Sequence, residues 1–452
     1  MTTAFQKNYT GKRAIDILKR RLLVDGFPIV VDTTKSRGAY LYNQVDGEKY
    51  FDFFSFFASL PLGFNHPGLK NKAYQKALQE AAQVKVSLSD IYSPHFARFV
   101  DVFDKITIRN QFRYLFFVEG GTLAVENGLK VAFDWKTRLN LKRGKNIEAN
   151  QILHFKQCFH GRSGYTMSLT DSPDPRKTQY FPKFPWPRIS NPKINVYEEE
   201  NVPATIEARE KEAVQQMESL FAQFRDQIAA IIIEPIQGEG GGNQFRKEFF
   251  QKLRTLSDKN DCLLIFDEVQ TGMGMTGKWW CWEHYGVRPD IMVFGKKLQV
   301  CGIAVTDRID EEKIEHCFKI SSRINSTFGG NLVDMVRATR YIEIIKEENL
   351  LANITQRSKE IMKAFQNLSH SYPLTNLRGL GGMIAVDVPT DKLRDEIVRA
   401  ARQKERLLIL PSGKRSLRLR PTLSLTKKEM EEGLGRLEKT LHRVFLSLRG
   451  TK

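Results

Sequence analysis

The sequence contains few cysteines and no long apolar run. Its 452 residues include five cysteines, none in a Cys-x-x-Cys pair and none at a zinc-like spacing from histidine. An odd, scattered set of this kind is typical of free thiols in a reducing compartment. The first residues contain no apolar signal region, and no later run is long enough to span a bilayer. We therefore expect a cytoplasmic protein with no membrane partner.

Acidic residues are outnumbered. Lys and Arg total 70 against 52 Asp and Glu, which gives a net charge of +18. Such an excess can indicate nucleic-acid binding, but here the basic residues are spread along the chain and no nucleic-acid-binding module accompanies them. A solvated surface rich in Lys and Arg is the simpler interpretation, and we expect no nucleic-acid partner.

Short apolar runs alternate with longer amphipathic stretches, which is typical of an α/β protein with a mostly parallel sheet. A helix is expected after the apolar run Leu115–Val118 and the turn that follows it, through Lys130 to about Trp135. The nearly all-aliphatic run Ile228–Ile233 suits a strand that is buried on both faces. The predicted strands are Leu115–Val118, Ile152–Phe155, Ile228–Ile233, Leu263–Phe266 and Ile291–Phe294.

The last third of the chain predicts a smaller α+β domain. The predicted elements are helices at 332–346, at 393–403 and from Lys427, with strands at 383–388, 407–410 and 417–419. Two further strand-like runs, Ala39–Tyr42 and Tyr50–Phe53, are expected to pack beside this domain. The chain is too long for one compact core. We predict an N-terminal segment over 1–75, a large domain over 76–335 and a small domain over 336–452.

A glycine-rich turn, Gly120-Gly121-Thr122, lies between a predicted strand and helix. Glycines let the backbone approach an anion, and a helix N-terminus supplies unpaired N–H groups. The turn could bind a phosphate, although a plain tight turn explains the same residues.

Asp267 follows the buried run Leu263–Phe266. A carboxylate at this place is costly unless it meets a cation or a hydrogen-bond donor. A protonated pyridine nitrogen, a metal ion or a structural arginine would each serve.

Lys296 and Lys297 follow another buried run, in Phe294-Gly295-Lys296-Lys297. A desolvated lysine amine forms Schiff bases with carbonyl cofactors. Chemistry alone does not choose between the two lysines, and a structural salt bridge is the alternative. Taken together, the phosphate-binding turn, Asp267 and the lysine are the parts of a pyridoxal-phosphate site.

From Phe116 to Leu423 the sequence resembles the class III (subgroup II) aminotransferases of fold type I. The stretches that carry the resemblance are GGTLAVENGLKVA, FHGRSGYT, IIIEPIQGEGG, LLIFDEVQTGMGMTGKWW, PDIMVFGKK, NSTFGGN, LRGLGGMIAVDV and LRLRPTL. The resemblance implies a large domain with a mostly parallel seven-stranded sheet, a smaller α+β domain, and pyridoxal 5'-phosphate as cofactor.

Cofactor-binding roles follow from the same resemblance. Lys296, the first of the pair, matches the Schiff-base lysine, and Asp267 matches the partner of the pyridine nitrogen. Gln270 would bond the ring hydroxyl, Phe159 would stack on the ring, and Gly121 and Thr122 would bind the phosphate. Thr327 would reach the phosphate of the neighbouring subunit, which implies a homodimer.

Substrate-binding roles are implied as well. Arg418 matches the arginine that binds the α-carboxylate of 2-oxoglutarate, and Glu239 matches a residue that neutralises this arginine in one half-reaction and swings away in the other. Arg162 would bind the distal carboxylate, and Asn325 is a further substrate contact. Arg420 is interpreted as a solvated or structural charge, and Glu234 as a supporting carboxylate.

The stretches FGKKLQVCG, EGGTLAVEN and FHGR resemble the forms of these motifs found in the lysine-specific members of the family. They imply transfer of the ε-amino group of L-lysine to 2-oxoglutarate, giving glutamate and 2-aminoadipate 6-semialdehyde, which cyclises to a piperideine carboxylate. Ornithine or 4-aminobutyrate is the alternative donor. A regulatory protein that binds pyridoxal phosphate without turnover is the alternative from another class.

Overall fold

The structure is a computed structural model that describes residues 9–194 and 202–449. In chain order the strands are β1 (Tyr40–Tyr42), β2 (Lys49–Asp52), β3 (Tyr114–Val118), β4 (Gln151–Phe155), β5 (Arg188–Ile189), β6 (Ile228–Ile233), β7 (Leu263–Asp267), β8 (Ile291–Phe294), β9 (Cys301–Val305), β10 (Thr375–Leu380), β11 (Met383–Asp387), β12 (Leu407–Leu408), β13 (Leu410–Ser412) and β14 (Ser416–Leu419). The helices are α1 (Gly11–Lys19), α2 (Lys72–Ala82), α3 (Pro94–Phe103), α4 (Gly121–Lys142), α5 (Gly164–Leu169), α6 (Val202–Gln223), α7 (Lys247–Lys259), α8 (Trp282–Tyr285), α9 (Leu332–Glu347), α10 (Leu350–Ser369), α11 (Asp391–Lys404) and α12 (Lys427–Arg449).

The large sheet has seven strands in the order β3-β9-β8-β7-β6-β4-β5, which confirms the predicted mostly parallel sheet. Only β9 runs against its neighbours within this sheet. Every residue of β6, β7 and β8 is buried, and apolar clusters cover both faces of the sheet. That explains why these strands are nearly continuous apolar runs rather than alternating ones. Strands β5 and β9 were not predicted.

The carboxyl ends of β3, β4, β6, β7 and β8 meet at one edge of this sheet. Strand β9 is antiparallel to both β3 and β8, so β3 points the same way as the parallel strands. The predicted cofactor-binding turn follows β3, Asp267 ends β7 and Lys296 follows β8, all at this edge. This is where open α/β sheets place their ligands.

Local sequence signals explain where several helices begin. The Asn331 side chain accepts the Val333 N–H at 3.0 Å at the start of α9, and Thr390 accepts the Leu393 N–H at 3.1 Å at the start of α11. Such N-cap bonds satisfy backbone donors that the helix leaves unpaired. Helix α4 continues to Lys142, beyond the predicted end near Trp135.

The C-terminal part is built around an antiparallel sheet of order β10-β11-β14-β13, flanked by helices. The single strand predicted at 407–410 is two strands. One, β12, pairs with β2 in a three-stranded sheet of order β1-β2-β12, and the other, β13, joins β14. Phe51 and Phe53 share a core with apolar residues of β11, β12 and β14. The predicted domain bounds remain a prediction.

Arg378, on β10, ties the C-terminal sheet to the loop that follows β6. Its Nε donates to the Gly241 carbonyl at 3.1 Å, and its Nη2 donates to Asp387 at 2.9 Å and to Ser416 at 2.7 Å. The side chain is buried, and burial lowers the pKa of Arg378 while Asp387 acts in the opposite direction. Because its partners come from both parts of the chain, this arginine fixes their relative position.

Within residues 9–194 and 202–449, no helix combines the length and apolarity that a bilayer crossing requires.

Replacing Arg378 with Met should lower the free energy of unfolding by about 3 to 5 kcal/mol, because it removes one partner of a buried ion pair. Urea unfolding followed by circular dichroism measures this. Arg176→Met is the matched control, since Arg176 forms an exposed pair with Asp174 and should unfold like the parent protein. Equal midpoints for Arg378→Met and the parent would contradict the assignment.

Candidate active site

Lys296 lies directly after β8, in a short turn that covers Lys296–Leu298. Its backbone adopts a left-handed conformation with φ of +47°, which is unusual for a residue other than glycine. Its Nζ makes no hydrogen bond to any residue that the structure describes. Burial lowers the pKa of Lys296, Arg418 and Arg420 lower it further, and Asp267 and Glu234 oppose them. The result is a half-buried amine that is free to react.

Lys297 has the opposite environment. Its Nζ donates to the Ala58 carbonyl at 3.1 Å and to the Gln270 carbonyl at 2.6 Å. Burial lowers the pKa of Lys297 well below its ordinary value, as does the neighbouring Lys296. The Ala58 carbonyl belongs to the turn Ser55–Ala58, whose four residues all have positive φ, between 38° and 66°. Lys297 therefore supports a strained turn, and the two lysines differ in function.

Asp267 is the last residue of β7 and is buried. Its Oδ2 lies 2.8 Å from His160 Nδ1, and its Oδ1 accepts the Val269 N–H at 3.1 Å. Burial opposes a charged imidazole, but Cys158 and Asp267 together raise the pKa of His160 well above its ordinary value. His160 thus holds Asp267 as an oriented carboxylate. Sequence reasoning quoted the FHGR stretch but gave His160 no role.

Glu234 follows β6 and is fully surrounded by protein. Its two oxygens accept the Phe159 N–H at 2.7 Å and the Gly238 N–H at 3.0 Å. Burial raises the pKa of Glu234 to about 7. The carboxyl group therefore positions the backbone at half-buried Phe159, which agrees with its interpretation as a supporting residue.

The Gly120-Gly121-Thr122 turn forms the start of α4. Thr122 Oγ1 lies 2.8 Å from Ser163 Oγ and 2.7 Å from Thr166 Oγ1. A Cβ on Gly161 would lie 2.2 Å from Thr122 Oγ1, and one on Gly121 would lie 3.2 Å from a methyl of Val269. Glycine is needed at position 161 for this close approach, and a side chain at position 121 would crowd Val269. Backbone N–H groups at a helix start, together with a group of hydroxyls, suit a phosphate.

Gln270 is held by an arginine whose role the sequence did not reveal. Arg420 Nε donates to Gln270 Oε1 at 3.1 Å, while its Nη1 donates to the carbonyls of Ile384 at 3.1 Å and Leu419 at 2.8 Å. Arg420 is buried, so its interpretation as a solvated charge is wrong and the structural one holds. Burial lowers the pKa of Arg420 well below its ordinary value.

Arg418 and Glu239 lie close to one another without forming an ion pair. Arg418 Nη1 donates to the Gly238 carbonyl at 3.0 Å, and its Nε has no partner among the described residues. Burial lowers the pKa of Arg418 to about 10. The Glu239 carboxylate instead accepts from Ser172 Oγ at 2.9 Å and pairs with Lys177. Sequence reasoning named neither Ser172 nor Lys177.

Three predicted site residues are more exposed than Lys296 and Asp267. Arg162, Asn325 and Thr327 are all exposed. The Thr327 carbonyl accepts from Ser87 Oγ at 2.5 Å, and Asn325 Oδ1 accepts the Ser326 N–H at 2.7 Å. Among the described residues, no hydrogen bond connects any of the three to Lys296 or Asp267.

The residues at this edge fit pyridoxal phosphate. Three groups lie at the ends of three strands in one sheet. They are a half-buried amine without a hydrogen bond to a described residue, a fixed carboxylate, and a helix N-terminus lined by hydroxyls. These groups could bind, in turn, the aldehyde carbon, the ring nitrogen and the phosphate of the cofactor.

Comparison with known proteins gives consistent results. The family model described as "Aminotransferase class-III" matches residues 24–441. The L-lysine-epsilon aminotransferase of Streptomyces clavuligerus is 44% identical over 434 residues, which cover 95% of this chain and 94% of that protein. Human mitochondrial 4-aminobutyrate aminotransferase is 31% identical, covering 91% of this chain and 85% of that protein. The structure of lysine aminotransferase from M. tuberculosis in the internal aldimine form superimposes on this one with a TM-score of 0.93. The two sequences are 43% identical, and the match covers 96% of this chain and 100% of that one.

Replacing Lys296 or Lys297 with Met in separate variants should distinguish the roles of the two lysines. Lys297→Met should lower the free energy of unfolding by about 1 to 3 kcal/mol, because two buried carbonyls lose their donor. Lys296→Met should not lower it, since the Lys296 Nζ provides no such bond. Urea unfolding of both variants measures the difference. Greater destabilisation by Lys296→Met than by Lys297→Met would contradict the assignment.

Proposed function

The chain belongs to the class-III aminotransferases, and from that premise we propose that it transfers the ε-amino group of L-lysine to 2-oxoglutarate. The products are L-glutamate and 2-aminoadipate 6-semialdehyde, which cyclises to piperideine-6-carboxylate. The cofactor is pyridoxal 5'-phosphate. The observation that carries the proposal is the half-buried Lys296 amine, without a hydrogen-bond partner among the described residues, at the sheet edge that also carries Asp267 and the Gly121–Thr122 helix start. Identity of 44% to a lysine-specific relative, against 31% to a 4-aminobutyrate one, supports lysine as donor.

We assign the cofactor-binding roles as follows. Lys296 holds the cofactor covalently, and Asp267, oriented by His160, keeps a proton on the pyridine nitrogen. Bound pyridoxal phosphate withdraws electrons, and so stabilises the negative charge left when a substrate carbon loses its proton. The remaining contacts come from Gln270 at the ring hydroxyl, Phe159 at the ring face, and Gly121 and Thr122 at the phosphate.

Lys296 also moves the proton in this proposal. With a substrate amine bound, Lys296 Nζ would be a free base with a lowered pKa, because Arg418 and Arg420 disfavour its charged form. It would then accept the proton from the substrate carbon and hold it at Nζ. A protonated ammonium could not accept this proton, so the surrounding arginines favour catalysis.

Substrate binding depends on Arg418. Its buried guanidinium has an unused Nε, so it can bind the α-carboxylate of 2-oxoglutarate. Arg162 binds the distal carboxylate, Asn325 is a further contact, and Glu239 neutralises Arg418 when an ω-amine is bound.

We also propose a homodimer and a cytoplasmic location. Thr327 is exposed, which suits contact with the cofactor phosphate of a neighbouring subunit. The cysteines are free, which suits a reducing compartment.

Visible absorption of the protein loaded with pyridoxal phosphate tests the proposal. Excess L-lysine should bleach the visible absorption band of the bound cofactor. Adding 2-oxoglutarate after lysine has been removed should restore that band. Ornithine and 4-aminobutyrate should bleach it more slowly, and Lys296→Ala should show neither change. Bleaching by ornithine or 4-aminobutyrate but not by lysine would refute lysine as the donor.

A further inference from the structure

The Glu239 carboxylate interacts with two sets of cationic or donor groups. In the first set, it accepts from Ser172 Oγ at 2.9 Å and pairs with Lys177. The second is Arg418, which donates to the carbonyl of the preceding residue, Gly238. Burial lowers the pKa of Arg418, and Glu239 is the carboxylate that opposes this most strongly. The carboxylate is therefore near Arg418 even while it is bonded elsewhere.

The backbone around Glu239 is fixed. Its carbonyl accepts the Gly413 N–H at 2.8 Å and the Ser412 hydroxyl at 3.0 Å, and that hydroxyl also donates to the Gly238 carbonyl at 2.8 Å. Gln237 and Asn243 bridge the base of the loop. A change of partner for the Glu239 carboxylate therefore requires rotation of the side chain alone.

Arg418 and Lys177 then compete for one carboxylate. Arg418 is buried and incompletely bonded, so it favours any anion that can reach it. Lys177 is 32% exposed and Glu239 is 17% exposed, and a pair that solvent reaches is weak enough to exchange. When Glu239 is with Lys177 and Ser172, the guanidinium of Arg418 is available to a ligand carboxylate.

We propose that Lys177 and Ser172 form an alternate position for the Glu239 carboxylate, and that this position sets the affinity of Arg418 for dicarboxylates. Lys177 and Ser172 are positioning residues, since they act through Glu239. The inference rests on the proposed function for its substrate, 2-oxoglutarate, but the ion-pair exchange does not require turnover.

The test measures binding of glutarate, an inert dicarboxylate, to the protein loaded with pyridoxal phosphate, by titration calorimetry. Lys177→Met should weaken glutarate binding roughly three- to tenfold, because Glu239 then occupies Arg418 more of the time. Ser172→Ala should weaken it less, and Lys177→Arg should restore it. The matched control is Lys183→Met, which removes a lysine charge from the same segment. Lys183 donates to the Thr178 carbonyl and not to Glu239, so this variant should bind glutarate like the parent protein.

The Glu239→Ala background separates the proposed mechanism from direct contact. There, Lys177→Met should change glutarate affinity no further, since no carboxylate is left to reposition. If the weakening persists in that background, Lys177 binds the ligand itself and the proposal is wrong. Unchanged glutarate affinity in the Lys177→Met single variant would also overturn it.

Kinetics of the two half-reactions provide the second readout. Lys177→Met should raise the KM for 2-oxoglutarate and leave the half-reaction with lysine unchanged or faster. An equal loss of rate in both half-reactions would contradict the alternate position of the Glu239 carboxylate and leave the proposed function intact. If the glutarate pattern is as expected but lysine and 2-oxoglutarate are not substrates, the proposed function fails while the alternate position stands.

Discussion

The partial removal of two neighbouring lysines from water, with Lys297 buried and Lys296 half-buried at one sheet edge, is the constraint on which the rest of the site depends. Lys297 donates to the Ala58 and Gln270 carbonyls, so the left-handed turn at Ser55–Ala58 and the loop after β7 are held together. Lys296 has no such bond to a described residue. A lysine amine that is desolvated, close to Arg418 and Arg420 and without a hydrogen bond has a lowered pKa here, although Asp267 and Glu234 oppose the change. A lowered pKa is the property that an imine-forming base needs.

The arginines that lower this pKa are themselves incompletely compensated. Arg420 is bonded mostly to carbonyls and to Gln270, and Arg418 to the Gly238 carbonyl. Carbonyl partners satisfy donors without neutralising charge, so the edge remains electropositive. Such an edge favours the phosphate and carboxylates of the proposed ligands. Three carboxylates near this edge differ in their mobility. Asp267 is fixed by His160, and Glu234 is fixed by two backbone donors. Of the three, Glu239 is the one placed to change partner.

The fold was predictable from sequence where burial on both faces produces continuous apolar runs, as in β6, β7 and β8. It was not predictable where a strand is two residues long, as in β5, or where one apolar run serves two sheets, as at 407–410. In the site, Lys296, Asp267 and the Gly120–Thr122 turn could be recognised because each follows a buried strand. His160, Lys177 and Ser172 could not be assigned roles, and Arg420 could not be distinguished from a solvated charge. Their partners are distant in sequence, and only tertiary contacts reveal them.

The central claim is that Lys296, and not Lys297, is the amine that binds the cofactor. Borohydride reduction of the protein loaded with pyridoxal phosphate makes the linkage permanent, and peptide mapping by mass spectrometry then locates it. A single modified position at Lys296, retained in Lys297→Arg, is the predicted result. Modification at Lys297, or label spread over several surface lysines, would contradict the account.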